Sequence, residues 1–385
     1  MARGYNIWAV DAITALGEGV EETWRRMLNM ECGIRPLRRF AQGRYQTDVA
    51  AEIAPDIEEA VRAGAFVGSS RAYALALRTA RRTLRQADPR PGRTGLVLAT
   101  TKAGVDELEQ RAGGAGGEGR CHYLPSVLAS DLATELHLDG PVSAVSNACA
   151  SGSIAVMEAA RTLDSAQCDH VLVVGVDIVS DFVLAGFSCL KALSPLPCRP
   201  FDKSRNGLSL GEGAGAILLT KDRGPQALAV VRGWAATNDA THITAPSRTG
   251  SGLTAALVHA LNLSGFAPGD IDYINAHGTG TVFNDEMEAR AIHSTFGSDV
   301  PVSSMKGYLG HTLGAAGVIE MSLCVMALRD RIIPASLGLQ DLGISSHIRV
   351  AVRHQQASRM DHIVSIKCGF GGMNAVVILG GVGHD

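Results

Sequence analysis

Residues 141–153 read Pro141-Val142-Ser143-Ala144-Val145-Ser146-Asn147-Ala148-Cys149-Ala150-Ser151-Gly152-Ser153. The first five form a short run with alternating apolar positions, the pattern of a strand. Beyond them the spacing changes, and Ile154, Val156, Met157, Ala160 and Leu163 recur at helical intervals. A strand therefore runs into a helix through a tight turn of small residues, with Cys149 on the turn. A thiol there faces the positive end of the helix, so its pKa is expected to fall and its thiolate to act as a nucleophile. Adjacent backbone N–H groups on such a turn can hold an oxyanion.

Two histidines downstream answer this cysteine. His277 lies in Asn275-Ala276-His277-Gly278-Thr279-Gly280-Thr281, and His311 in Lys306-Gly307-Tyr308-Leu309-Gly310-His311-Thr312-Leu313-Gly314-Ala315-Ala316-Gly317. Each follows a short apolar run and sits among glycines, which permit tight turns and close backbone approach. Taken singly, a buried cysteine or histidine is most often packing. Three on glycine-rich turns after strands point to one catalytic site.

The composition sets the bounds. The chain has 385 residues, 46% hydrophobic and 19% charged, an ordinary globular balance. It is longer than one hydrophobic core usually supports. A net charge of −3 argues against nucleic acid as the partner. Eight scattered cysteines show no zinc-type spacing, and no metal site is expected. No signal peptide and no apolar run of membrane-spanning length is read, so the expected compartment is the cytoplasm, with reduced thiols. The 44 glycines cluster beside the motifs, as turns around a site.

Along the chain, strands are expected at residues 5–10, 94–100, 141–145, 169–177 and 213–220, then at 227–236, 271–275, 301–303, 362–367 and 374–379. Helices are expected at 20–28, 69–86, 125–137 and 154–163, then at 252–263, 284–295 and 315–328. Residues 33–56 read as irregular and 112–119 as a mobile glycine-rich loop. Alternating strands and helices make the class α/β. The halves look duplicated, because a small-residue turn opens a buried helix in each. The expected division is residues 1–223, carrying the cysteine, and 224–385, carrying both histidines.

Further stretches complete a pattern: Gly186-Phe187-Ser188-Cys189-Leu190-Lys191-Ala192-Leu193-Ser194, Arg199-Pro200-Phe201-Asp202, Gly211-Glu212-Gly213-Ala214-Gly215, Asp239-Ala240-Thr241-His242-Ile243-Thr244 and Cys368-Gly369-Phe370-Gly371-Gly372. In order and spacing, over nearly the whole length, the chain resembles the elongating, type II β-ketoacyl-[acyl carrier protein] synthases. The resemblance implies a thiolase-like duplicated αβαβα five-layer fold, usually as a homodimer. It implies a decarboxylative Claisen condensation of an acyl group on Cys149 with malonyl-carrier, in fatty acid or polyketide/polyene elongation. No cofactor is expected beyond the phosphopantetheine of the acyl carrier protein. By the same resemblance, neutral His277 and His311 donate to the enolate oxygen, and the N–H groups of Cys149 and Phe370 form the oxyanion hole. Lys306 matches the family's lysine and Glu288 its usual partner, an ion pair that positions the loops. Asp285 is expected to be structural. Thr279, Thr281 and Thr244 match positions that bind pantetheine, Phe187 and Phe370 match gates to the acyl pocket, and Lys191 matches a contact to the carrier's phosphate. Asn275 and Glu320 match positions that hold a structural monovalent cation in some relatives.

The chain departs from the pattern in places. Residues 101–125 are shorter than in housekeeping members, so the pocket wall differs. Met373 replaces the common Thr or Ser. Asn284-Asp285 and Lys306-Gly307-Tyr308-Leu309-Gly310-His311 lean toward polyketide members, which suggests a specialised pathway. The competing readings are a non-decarboxylative thiolase using Cys368 as base, and a silent chain-length-determining subunit, which would lack the cysteine. The active half of a heterodimer of ketosynthase and chain length factor also fits. A starter synthase would carry Cys-His-Asn, which His311 opposes.

Overall fold

The computed structural model describes residues 4–65, 69–87, 92–114, 120–222 and 227–383. The first half builds β1 (Tyr5–Thr14), α1 (Arg71–Gln86), β2 (Thr94–Ala99), α2 (Pro125–Glu135), β3 (Val142–Val145), α3 (Ser151–Asp164), β4 (His170–Asp177), α4 (Asp181–Cys189) and β5 (Gly213–Thr220). The second builds β6 (Ala229–Asn238), α5 (Ser251–Ser264), β7 (Tyr273–Asn275), α6 (Val282–Phe296), β8 (Pro301–Ser303), α7 (Ala316–Asp330), β9 (His362–Gly369) and β10 (Met373–Gly380).

The two halves repeat one topology. In the first the strand order is β1-β5-β4-β2-β3, and in the second β6-β10-β9-β7-β8. In each, the first two neighbouring pairs are antiparallel and the last two parallel. The repeat is therefore structural even though the halves share negligible sequence identity. An antiparallel contact of β1 with β6, Tyr5 opposite Val231, joins the two orders.

Strand alternation produces the layers. In β4, Val171 and Val173 enter the central core, while Leu172, Val174 and Val176 enter the outer core beneath α1 and α2. In β10, Ala375, Val377 and Leu379 face the centre, and Val376 and Ile378 face α5 and α6. A strand packed on both faces reads as a near-continuous apolar run, which is why β4 is His-Val-Leu-Val-Val-Gly-Val-Asp. Helices α3 and α7 form the buried middle layer, completing the expected five. The division near residue 223 falls in residues 223–226, and part of the glycine-rich loop in 115–119, both outside the described residues.

Local expectations hold to within a few residues at most ends. The sequence reading missed three short helices, Pro55–Ala63, Val105–Ala112 and α4. Among the described residues no helix is long and apolar enough to cross a membrane, and all eight cysteines are free.

Candidate active site

Cys149 lies two residues before the start of α3. Ser151 Oγ accepts the Asn147 N–H at 2.8 Å and donates to the Ala148 carbonyl at 2.6 Å. This knot leaves Ala148 at φ 49°, a left-handed conformation that costs a residue with Cβ roughly 1–2 kcal/mol. The sharp elbow turns Cys149 inward to 7% exposure. The loop after β9 comes close to it: a Cβ on Gly369 would lie 3.2 Å from the Cys149 nitrogen. The Phe370 N–H donates to the Cys149 sulfur.

The expected fall in the Cys149 pKa is not what this geometry produces. Burial pushes the thiol up to about 11, against the opposing pull of Lys306 and the Phe370 N–H. A helix terminus contributes about half a charge through solvent-accessible space, whereas removing a thiolate from water costs more. Cys149 at rest is thus a neutral thiol.

His277 follows β7 and His311 precedes α7. Their rings stand edge to face with centroids 5.1 Å apart. The Sγ of Cys149 and a nitrogen of each ring all lie within 4.8 Å of one another, the one such grouping of potential metal ligands among the described residues. The His311 Nδ1 accepts the Leu313 N–H at 3.2 Å, which leaves the ring proton on Nε2. Burial, with Lys306 next, holds the His311 pKa down to about 3. His277 is also held well below its ordinary value, by burial and then Lys306. Both imidazoles are neutral at physiological pH, as donors to an enolate require.

The loops are held from behind. The His311 N–H donates to the Ser209 carbonyl at 2.7 Å, and the Gly211 N–H returns a bond to the His311 carbonyl at 3.0 Å. Asp177, at the end of β4, accepts the Gly314 N–H at 2.6 Å and the Thr101 N–H at 3.0 Å. Asp285 accepts the N–H groups of Phe201 at 2.8 Å and Thr279 at 3.0 Å, tying the histidine turn to the Arg-Pro-Phe-Asp stretch.

Two expectations about the charged residues need correction. Lys306 does not pair with Glu288: its Nζ lies 2.7 Å from Glu320 Oε1. Glu288 accepts the His277 N–H at 2.5 Å and the Gly278 N–H at 2.7 Å instead. Nor do Asn275 and Glu320 fit a bound monovalent cation. Lys367 Nζ occupies that position, 2.9 Å from Glu320 Oε2 and 2.8 Å from Asn275 Oδ1. The sequence reading passed over Lys367. Its signal was a lysine among Ile363, Val364 and Ile366 in a two-sided apolar strand, where lysine is rarely buried without a task.

A cavity of about 390 Å³ runs from exposed Leu190, Lys191 and Phe283 to the buried trio. Thr279, Thr281 and Thr244 line it, and the first two share a hydroxyl contact of 2.9 Å. Phe187 and Phe370 stack beside Cys149 with centroids 5.8 Å apart. Cys368 lines the wall but stands outside the cysteine–histidine grouping.

Two family models match, described as "Beta-ketoacyl synthase, N-terminal domain" over residues 6–223 and "Beta-ketoacyl synthase, C-terminal domain" over residues 228–340. The chain is similar to 3-oxoacyl-[acyl-carrier-protein] synthase 2 of Coxiella burnetii, at 29% identity covering 97% of each. It is similar to a putative polyketide beta-ketoacyl synthase 1 of Streptomyces halstedii, at 30% identity covering 99% of each. Among solved structures, it resembles a ketosynthase in complex with its chain length factor from Xenorhabdus doucetiae. That match has a TM-score of 0.83 and 30% identity, covering 99% of this chain and 98% of that one. It also resembles the ishigamide ketosynthase/chain length factor, with a TM-score of 0.88 and 28% identity over the whole of both chains.

Proposed function

The chain belongs to the β-ketoacyl synthase family, and from that premise we propose that Cys149, His277 and His311 carry out its decarboxylative condensation. The enzyme is an acyltransferase whose acyl groups arrive on the phosphopantetheine of a carrier protein, and the chemistry needs no separate cofactor. The observation that carries the site assignment is the approach of one sulfur and two neutral imidazoles to within 4.8 Å at the inner end of the cavity.

The steps follow from the groups present. Cys149 Sγ attacks the carrier thioester, its S–C bond forms as the carrier's S–C bond breaks, and the cysteine proton leaves with the carrier thiol. A neutral site favours this balanced exchange over a standing thiolate. Malonyl-carrier then loses carbon dioxide, and the electron pair of the broken C–C bond becomes an enolate. His311 Nε2–H and a ring N–H of His277 donate to its oxygen. Removing one such donor costs about 2.7–4 kcal/mol of barrier, so His311→Ala or His277→Ala is expected to slow decarboxylation about 100- to 1,000-fold while loading persists. The enolate carbon attacks the acyl group, and the Phe370 and Cys149 N–H groups hold the tetrahedral oxyanion. Cys149 leaves as thiolate and regains a proton from water.

Thr279, Thr281 and Thr244 suit the pantetheine arm, and Phe187 with Phe370 the passage to the acyl chain. Lys306, Glu288 and Asp285 act as positioning residues. The partners are an acyl carrier protein and a second ketosynthase-like chain. The exposed edge strand β3, bonded among the described residues to a neighbouring strand on one side only, supports the second. Asn284-Asp285, with Asn284 on the cavity wall, favours a polyketide or polyene substrate.

Intact-protein mass spectrometry on native chain and Cys149→Ala, with a panel of acyl carriers and then malonyl-carrier, tests the assignment. The acyl mass should appear on native chain alone and depart two carbons longer with carbon dioxide. Condensation without carbon dioxide would mean a thiolase. Loading only after co-expression with a neighbouring homologue would mean an obligate heterodimer.

A further inference from the structure

Lys367 is wholly buried on β9, one residue before the Cys-Gly-Phe-Gly-Gly loop, and the steps above make no use of it. Its Nζ sits in a cage of oxygens: Glu320 Oε2 at 2.9 Å, Asn275 Oδ1 at 2.8 Å, the Ile366 carbonyl at 2.8 Å and Ser365 Oγ at 3.2 Å. Glu320 therefore bridges two buried ammonium groups, with Lys306 on its other oxygen. One carboxylate would be matched by one ammonium, and a second buried positive charge is costly unless something uses it. The other carboxyl facing this region, Glu288, is turned to the N–H groups of His277 and Gly278, and burial pushes its pKa up to about 7, so it offsets the second ammonium only in part.

The cage touches the base of three loops of the site. Asn275 ends the strand that leads to His277. Glu320 lies on the helix that follows His311, and Lys367 on the strand that leads to Phe370. We propose that the Lys367 ammonium is a built-in counter-cation, occupying an oxygen cage that would otherwise take a free monovalent cation, and that it locks the three loops together behind the nucleophile. The chain is then independent of added cations. Removing the side chain back to Cβ converts the cage into a site for potassium or ammonium ion, because its four oxygens are the hard donors such ions take. This inference rests on the condensing reading for its activity arm alone.

The test uses full-length native chain, Lys367→Ala and Lys367→Met in potassium, ammonium or tetramethylammonium chloride at equal ionic strength. Thermal stability is read beside malonyl-carrier decarboxylation. The native chain should respond alike to all three salts. Lys367→Ala should lose about tenfold in rate in tetramethylammonium, the scale on which supporting residues behind a site act. It should regain rate and melting temperature together in potassium or ammonium, with KM little changed. Lys367→Met fills the cage and leaves the Lys306–Glu320 pair balanced, so it should fold, and no salt should rescue it.

Salt-selective rescue of stability alone, in a chain that never decarboxylates, would uphold the cage and remove the condensing reading. Equal behaviour of Lys367→Ala in all salts, a native chain that itself needs potassium, or insolubility of both variants in every salt would overturn the proposal.

Discussion

At Cys149 two effects act on one sulfur in opposite directions, and burial wins. The helix end and Lys306 favour the thiolate, but the enclosed site holds the thiol up to about 11. Alkylation by iodoacetamide, followed by mass, should therefore climb about tenfold per pH unit above neutrality instead of levelling off near pH 7. A plateau at neutral pH would mean that a thiolate–imidazolium pair exists at rest. Glu288 supplies the second titration. Its carboxyl is raised from 4.5 to about 7, first by burial. A raised folded pKa contributes stability that is present below the unfolded pKa and lost as pH rises through the folded one. Native stability should thus fall by about 3 kcal/mol across this window, and Glu288→Gln should flatten the loss, as denaturant titrations at about pH 5 and about pH 8 would register. The cysteine and both histidines were legible from their turns. The partner of Lys306 was not, since Glu320 stands 14 residues away on a helix whose facing side depends on packing.

At the scale of elements, the two central helices meet where both lack a side chain. A Cβ on Gly152 would lie 2.7 Å from the Val318 nitrogen, and one on Gly317 would lie 2.5 Å from the Ser153 nitrogen. Both obstacles are backbone, so neither can move aside cheaply. Gly317→Ala is expected to destabilise the chain by about 1–3 kcal/mol through overpacking, seen as a lower denaturant midpoint. Because α3 carries the cysteine turn and α7 the His311 turn, the same variant should slow decarboxylation as well. An unchanged midpoint and rate would mean that the helices do not need this contact. The two glycines were visible in the sequence as turn residues, but their role as mutual contacts depends on how the halves stack.

For the whole molecule, the sheet ends at β3 with backbone groups facing outward. Leu96 and Thr100 donate to the Pro141 and Val145 carbonyls, so in this parallel ladder the odd-numbered residues of β3 point inward and Ala144 points out. Proline is tolerated on an edge strand where its missing N–H faces away from the ladder. Ala144→Pro should leave the subunit folded yet weaken association through this edge, read as a shift toward monomer in mass photometry. A monomeric native chain, or an unshifted variant, would place the partner elsewhere.

The order of the main strands and helices, the α/β class, the duplicated style and the placing of Cys149, His277 and His311 on small-residue turns were determined by the sequence alone. Periodicity and turn chemistry act over a few residues and are written in neighbouring positions. The tertiary structure decided the neutral state of Cys149, the pairing of Lys306 with Glu320, and Lys367 in the place of a cation. Those outcomes depend on desolvation and on charges brought together through space from both halves or from distant strands, and no local pattern encodes such distances.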